Sequence, residues 1–245
     1  MQTRTLTGEP VQLKVLLQNL ASPGETTRSV FNLSDEKEYN VHANIIKLIG
    51  DKIMAKEFRT YEIDKHNQKA LRFLLLYFSR CKEAEQVFPD EEYKLHKQIL
   101  LVGNTGTGKT ALMNIFSQYL RFTRNPNFFY NVSVTEMINY FKINNHLDKY
   151  TYNELASDRR FNGNPVNLCL NDLGLKTHTH FGVDTKVMID DFLHARYELY
   201  INHNKMAHLT SNLSVEEMKK LFDYRLTDRF KAYNIIEVDG ESRRK

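Results

Sequence analysis

Apolar positions along this chain fall into two rhythms: short unbroken runs, and residues spaced three and four apart. The cores of KQILLVG (97–103) and VNLCLNDLGL (166–175), ILLV and LCL, are unbroken apolar runs. That pattern predicts strands buried on both faces of a parallel sheet. NFFYNVSV (127–134), MAHLTSN (206–212) and YNIIEVDG (233–240) read as further strands. Helical spacing fills the intervals, in TALMNIFSQYL, VTEMINYFKI, DTKVMIDDFLHARYELYIN and SVEEMKKLF. Asp184 is the expected cap of the third, and Ser214 with Glu217 forms a capping box on the fourth. Strands alternating with helices predict an α/β fold, a parallel sheet wrapped on both faces.

The first third of the chain is helical by the same test. SDEKEYNVHANIIKLIGDKIMAKEF offers Ser34 as a cap and an apolar stripe of Val41, Ile45, Leu48, Ile49 and Ile53. DKHNQKALRFLLLYFSRCKEAEQVF predicts one long amphipathic helix, opening at Asp64 and ending before Pro89. Its stripe of Ala70, Phe73, Leu74, Tyr77 and Cys81 reads as core. Ser22-Pro23-Gly24 marks a turn or linker. The organisation expected is a small helical appendage over 1–60, which either packs on the main domain or binds a partner, and a single main domain over 61–245.

Composition narrows this little. Of 245 residues, 41% are hydrophobic and 26% charged, ordinary values for a globular chain. A net charge of +4 permits contact with a polyanion without requiring it. The two cysteines, Cys81 and Cys169, are too few and too distant for a disulfide framework or a zinc cluster and read as buried thiols. No signal-like segment opens the chain and no run approaches the roughly 20 apolar residues of a membrane span, so a cytoplasmic location is expected.

The chemistry concentrates where the first strong strand ends. Gly103-Asn104-Thr105-Gly106-Thr107-Gly108-Lys109-Thr110 satisfies G-x-x-x-x-G-K-[ST] at every specified position, between a strand and a helix. The glycines let backbone N–H groups turn inward toward phosphate oxygens, and the helix beginning there adds its positive end. Lys109 is placed to reach the β- and γ-phosphates, and the Thr110 hydroxyl to bind Mg²⁺. A nucleotide needs a second acidic strand, and VNLCLNDLG supplies one with Asp172 at its C-terminal end. Asn204-Lys205 is followed by Met206-Ala207, without the Asp of a guanine pocket, so ATP is the expected nucleotide.

The ordered set LLVGNTGTGKT, LCLNDLG, HLTSNLS, YRLTDRF and IIEVDGESRR resembles the AAA+ ATPases of the DnaC/IstB type, over roughly residues 65–245. The family comprises replicative helicase loaders and the ATPase helpers of some transposons. The resemblance implies an AAA+ P-loop fold with a five-stranded parallel sheet, with Gly103 to Thr110 as Walker A and Asn171-Asp172 as the Walker B tip. It makes Asn212 the sensor that orients water, Arg229 a finger reaching a neighbouring subunit's nucleotide, and Arg225 its support. Thr110, Asp172 and Asn171 would surround the metal. Two departures stand out. Asn171 replaces the usual first acid, a weaker lure for Mg²⁺, so turnover is expected to be slow. The sequence also runs only a few residues past its last strand, so neither a helical lid nor the lid's arginine is expected.

The connection KINNHLDKYTYNELASDRRF is longer than a simple crossover. Lys149, Arg159 and Arg160, beside Tyr150 and Tyr152, offer the basic and aromatic mixture that binds single strands. The expectation is an ATP-dependent, self-associating assembly factor of DNA replication, acting on a replicative helicase and single-stranded DNA. The alternatives are a transposition helper that binds DNA and a transposase, and a nucleotide switch with negligible hydrolysis.

Overall fold

The structure, a computed structural model, describes residues 31–174, 179–180 and 183–243. The first half of the expected 1–60 appendage and the side chain of Asp184 lie outside the described residues. The chain divides into two compact units, Met1–Leu95 with Asn114–Phe128, and His96–Met113 with Phe129–Lys245.

In the first unit, helix α1 (Glu36–Met54) is capped by Asp35, whose carboxylate accepts from the Glu38 N–H at 3.0 Å. Ser34, the expected cap, instead donates its hydroxyl to Glu83. The buried face is His42, Ala43, Ile45, Ile46 and Gly50, while Leu48 is 52% exposed. The helix is rolled away from its apolar stripe because Gly50 seats the ring of Tyr61: a Cβ at residue 50 would lie 2.4 Å from Tyr61 Cδ1. His42 turns inward with it. Its ring stands against Phe31 and Tyr119, its Nδ1 is 2.8 Å from the Tyr119 hydroxyl, and burial lowers its pKa to about 4.

Helix α2 (Gln68–Phe78) is shorter than its apolar pattern predicts. It closes where Arg80 turns left-handed at φ +60, with the Cys81 N–H on Leu76 O and the Arg80 N–H on Tyr77 O. Glycine usually takes this position. Here the Arg80 guanidinium offsets the strain by donating to Leu95 O at 2.6 Å and Asn127 Oδ1 at 3.3 Å. Phe73, Tyr77, Phe78, Tyr93 and Phe116 form an aromatic core in this unit.

Among the described residues of the second unit, five strands build one parallel sheet in the order β2-β3-β6-β1-β7. They are β1 (Gln98–Val102), β2 (Tyr130–Ser133), β3 (Leu168–Leu173), β6 (Ala207–Ser211) and β7 (Tyr233–Glu237). Two-residue strands β4 (Thr179–His180) and β5 (Val183–Asp184) pair separately. One row of residues, Val132, Leu170, Leu209, Leu100 and Ile235, runs in register across all five strands of the sheet. Four of the five are at most 3% exposed. Helices α3 (Lys109–Phe122), α4 (Val134–Asn144), α5 (Thr185–His203), α6 (Val215–Leu221) and α7 (Tyr224–Arg229) complete the chain, and the division between units falls within α3. Ser133 ends β2 and caps α4 at once, accepting from the Glu136 N–H, and the Ser214–Glu217 capping box forms as expected.

α5 contributes an unusual core residue. Arg196 is 1% exposed and has no carboxylate partner among the described residues; it donates to the carbonyls of Tyr150 (3.3 Å), Val166 (3.0 Å) and Met206 (2.8 Å). Burial lowers its pKa to about 10. Three carbonyls hold the positive charge and tie the long connection after α4 to the start of β6.

The first unit carries a pH prediction. His42 is buried neutral, so its contribution is fully present above pH 6.5 and is lost as pH falls toward 4. Between pH 7 and 5 the unfolding free energy should fall by about 2 kcal/mol on this account. Urea melts across that range should show the fall in the wild type and a flat line in His42→Phe.

Candidate functional site

The loop after β1 is shaped by its neighbours in the sheet. Val238 N–H donates to Val102 O at 2.8 Å, continuing the β1–β7 pairing beyond the strands. At Gly103, with φ +140, a Cβ would stand 2.3 Å from Val238 O, so no larger residue fits. Thr107 folds back on Asn104, its N–H and hydroxyl both directed to Asn104 O. Lys109 opens α3 and is 4% exposed, and its ammonium donates to Gly103 O and Asn104 O, each at 2.7 Å. The loop therefore curls around its own lysine, next to the N-terminal end of a helix whose first N–H groups lack intrahelical partners.

β3 supplies the carboxylate by breaking its own regularity. Its pairing with β6 shifts between Leu170 and Leu173, and Asp172 sits in the shift at φ +65. A left-handed aspartate in a strand is strained, and here it is held: the Asp172 N–H donates to Thr210 Oγ1 at 3.0 Å. This turn brings Asp172 Oδ1 to 3.4 Å from Thr110 Oγ1, which donates to it. Two hard oxygens from two elements fit Mg²⁺, which takes few protein ligands and fills its shell with phosphate and water.

Asn171, expected beside the metal, is placed otherwise. It is 3% exposed and points into the sheet, donating Nδ2 to Asn131 Oδ1 (3.1 Å) and accepting on Oδ1 from Thr210 Oγ1 (3.3 Å). The buried Cys169 thiol lies 3.7 Å from the same oxygen, and burial raises its pKa well above the ordinary value. The reason is strand alternation. Asn171 and Asp172 leave β3 in different directions, and the bulge sends only Asp172 toward the loop. At the end of β6, Ser211 Oγ donates to Leu173 O at 2.8 Å, and half-buried Asn212 comes next in the chain.

The chain after β7 returns to the same loop. The Arg243 N–H donates to Gly106 O at 2.9 Å and its Nε to Thr107 O at 3.2 Å. A Cβ on Gly106 would meet Ser242 Oγ at 2.3 Å. A guanidinium thus lies along the loop, although the motifs predict no lid arginine for this site. The signal is present in IIEVDGESRR, but only the pairing of β7 with β1 shows where that segment goes. Asn131 and Thr210 escape sequence reasoning for the same reason.

The remaining expected residues sit elsewhere in this unit. Arg229 lies on α7 against α5, its guanidinium 4.7 Å from the Tyr197 ring centre and in contact with His194 Nδ1. Arg225 is exposed and pairs with Asp223 at 3.3 Å. Lys149 stacks on Tyr140 and Tyr150, and Arg160 pairs with Asp158 at 2.7 Å while Arg159 is exposed. Lys149, Tyr140, Tyr150, Glu136, Asp148 and Asp158 line part of a cavity of about 580 Å³ beside β2. Its acids are interleaved with the bases, so the connection is not a uniformly positive face.

The loop geometry predicts that Gly103→Ala, which combines a backbone clash with a disfavoured φ, costs at least about 2 kcal/mol. Thermal unfolding of the variant should show that loss.

No family model matches the chain, and no curated protein does. Solved structures do. AMPPCP-bound DnaA from Aquifex aeolicus is 17% identical with a TM-score of 0.50, over 74% of this chain and 49% of that one. The chain therefore spans about half the length of that DnaA. A candidate primosome component from Streptococcus pyogenes serotype M3 is 17% identical with a TM-score of 0.48, over 74% and 84%. DnaI is 20% identical with a TM-score of 0.47, over 74% and 88%. Among the described residues no helix is long and apolar enough to cross a membrane. The sheet order, the loop after β1 and the likeness to DnaA show that this chain has the AAA+ P-loop fold.

Proposed function

We propose that the chain binds ATP with Mg²⁺ at the β1–α3 loop and hydrolyses it slowly, as an assembly factor of the DnaC/IstB type acting on a replicative helicase. The observation that carries the nucleotide part is the 3.4 Å approach of Asp172 to Thr110 beside a loop already curled around Lys109. The likeness in fold to an AMPPCP-bound DnaA supports nucleotide binding. The replication role rests on the ordered motifs of the sequence.

The residues divide the work. Loop N–H groups and the start of α3 take the phosphate oxygens. Lys109 exchanges two carbonyl partners for phosphate, a stronger acceptor of a charged donor. Arg243, along the same loop, offers a second cation from the same chain. Thr110 and Asp172 would hold Mg²⁺, which when bound neutralises charge between the β- and γ-phosphates. Asp172 also orients the attacking water, whose oxygen bonds to the γ-phosphorus as the bond to the β-bridging oxygen breaks. Asn212 borders this water from β6, and Arg229 would act on a neighbouring subunit's nucleotide. Lys149, Arg159 and exposed Tyr152 are the proposed contacts to single-stranded DNA, with Arg160 contributing once it exchanges Asp158 for phosphate.

A switch that binds ATP with negligible turnover is the second reading. It is favoured by the one acidic residue at the tip of β3, since Asn171 is turned away.

Binding and hydrolysis of MgATP by the full chain, with and without single-stranded DNA, test these readings. Lys109→Ala should weaken ATP binding by at least about tenfold, and Arg243→Ala by about three- to tenfold, the range of one charge-assisted hydrogen bond. Capture of partners by the ATP-bound chain should recover a helicase. Recovery of a transposase without a helicase would favour the transposition reading, and tight binding without turnover the switch.

A further inference from the structure

We infer that Asn171 is a positioning residue, the middle link of a one-way hydrogen-bond chain that aims Asp172 at Thr110; this rests on the ATP reading of the site. The chain crosses three strands. Asn131 Nδ2 on β2 donates to Met113 O at 3.3 Å. Asn171 Nδ2 on β3 donates to Asn131 Oδ1 at 3.1 Å. Thr210 Oγ1 on β6 donates to Asn171 Oδ1 at 3.3 Å and accepts from the Asp172 N–H at 3.0 Å.

The two ends are backbone groups and fix the direction of everything between them. Met113 O can only accept, so the amide of Asn131 must present its nitrogen there and its oxygen toward β3. The Asp172 N–H can only donate, so the Thr210 hydroxyl takes it on oxygen; with the Asn171 nitrogen turned to Asn131, the oxygen of residue 171 faces Thr210 and receives the hydroxyl proton. Position 171 is left facing an acceptor on one side and a donor on the other. An amide satisfies both. A carboxylate offers only acceptors, would face the Asn131 oxygen, and would be charged in a place 3% exposed. The asparagine that reads as a lost metal ligand is thus the residue type this network requires.

The consequence reaches Asp172 through Thr210. The bulge and φ +65 leave the Asp172 N–H outside the regular β3–β6 ladder, and the Thr210 hydroxyl is its partner. Loss of that bond frees the strained residue to relax toward an ordinary strand conformation, which carries its carboxylate away from Thr110. The phosphate cradle, with Lys109, lies outside the chain of bonds and stays intact.

Three variants of the full chain separate this role from a general packing role. Asn171→Asp restores the acid usual in the resembled family, Thr210→Val removes the hydroxyl at constant shape, and Thr210→Ser keeps it. Two measurements are made on each: ATP affinity with and without Mg²⁺ beside hydrolysis rate, and hydrogen exchange of the Asp172 amide without nucleotide. Asn171→Asp and Thr210→Val should bind ATP without Mg²⁺ within about threefold of wild type, gain less affinity from Mg²⁺ than wild type does, and hydrolyse MgATP at least tenfold more slowly, with Asp172 exchange at least tenfold faster. Thr210→Ser should stay close to wild type in both. Faster hydrolysis in Asn171→Asp, or unchanged Asp172 exchange in Thr210→Val, overturns the inference. A wild-type chain that neither binds nor hydrolyses MgATP defeats the ATP reading instead, and the exchange rates then decide the network by themselves.

Discussion

The row Val132, Leu170, Leu209, Leu100 and Ile235 is the constraint on which the candidate site depends. Five apolar residues in register pin the strands at one height, and burial on both faces makes a slip expensive because it would unseat side chains packed on either side. The C-terminal ends of the strands are thereby delivered to a common edge. β1 releases the loop at Gly103, β3 its bulge at Asp172, β6 the hydroxyls of Thr210 and Ser211, and β7 the segment that ends on Gly106 and Thr107. β6 is decisive among them. By lying between β1 and β3 it separates the loop from the acidic strand and places Thr210 where both Asn171 and Asp172 can reach it.

Backbone carbonyls take part in holding the cations of this edge. Lys109 is nearly buried, and its partners include the carbonyls of the loop it belongs to and the Thr107 hydroxyl. Arg243 likewise donates to the loop through Nε. Asp172 provides the opposing charge at the one point where a divalent cation would be expected. The same device holds Arg196, whose positive charge rests on three carbonyls in the core.

Much of this was legible in the order of residues. The apolar runs named all five strands of the sheet, the glycine-lysine-threonine spacing named the loop, and Ser214 with Glu217 announced a helix start, because each of those signals is local. The errors also have local explanations. α1 rolled because His42 and Gly50 carry no apolar signal although Tyr61 and Tyr119 make room for them. α2 ended early because an arginine took a position where glycine is the usual sign. The roles of Asn131, Thr210 and Arg243 were not legible at all. Each depends on which strand lies beside which, and a chain read in one dimension does not contain the order β2-β3-β6-β1-β7.

The nucleotide site turns on where Asp172 and Asn171 point when ATP is present. The most direct measurement is a crystal structure of the chain with Mg²⁺ and a non-hydrolysable ATP analogue. The expected result has phosphates in the loop between Gly103 and Thr110, Lys109 moved from the Gly103 and Asn104 carbonyls to a phosphate oxygen, and the metal between Thr110 and Asp172. Asn171 should remain hydrogen-bonded to Asn131 and Thr210. A metal bound through the Asn171 oxygen, or a nucleotide seated away from the loop, would contradict it.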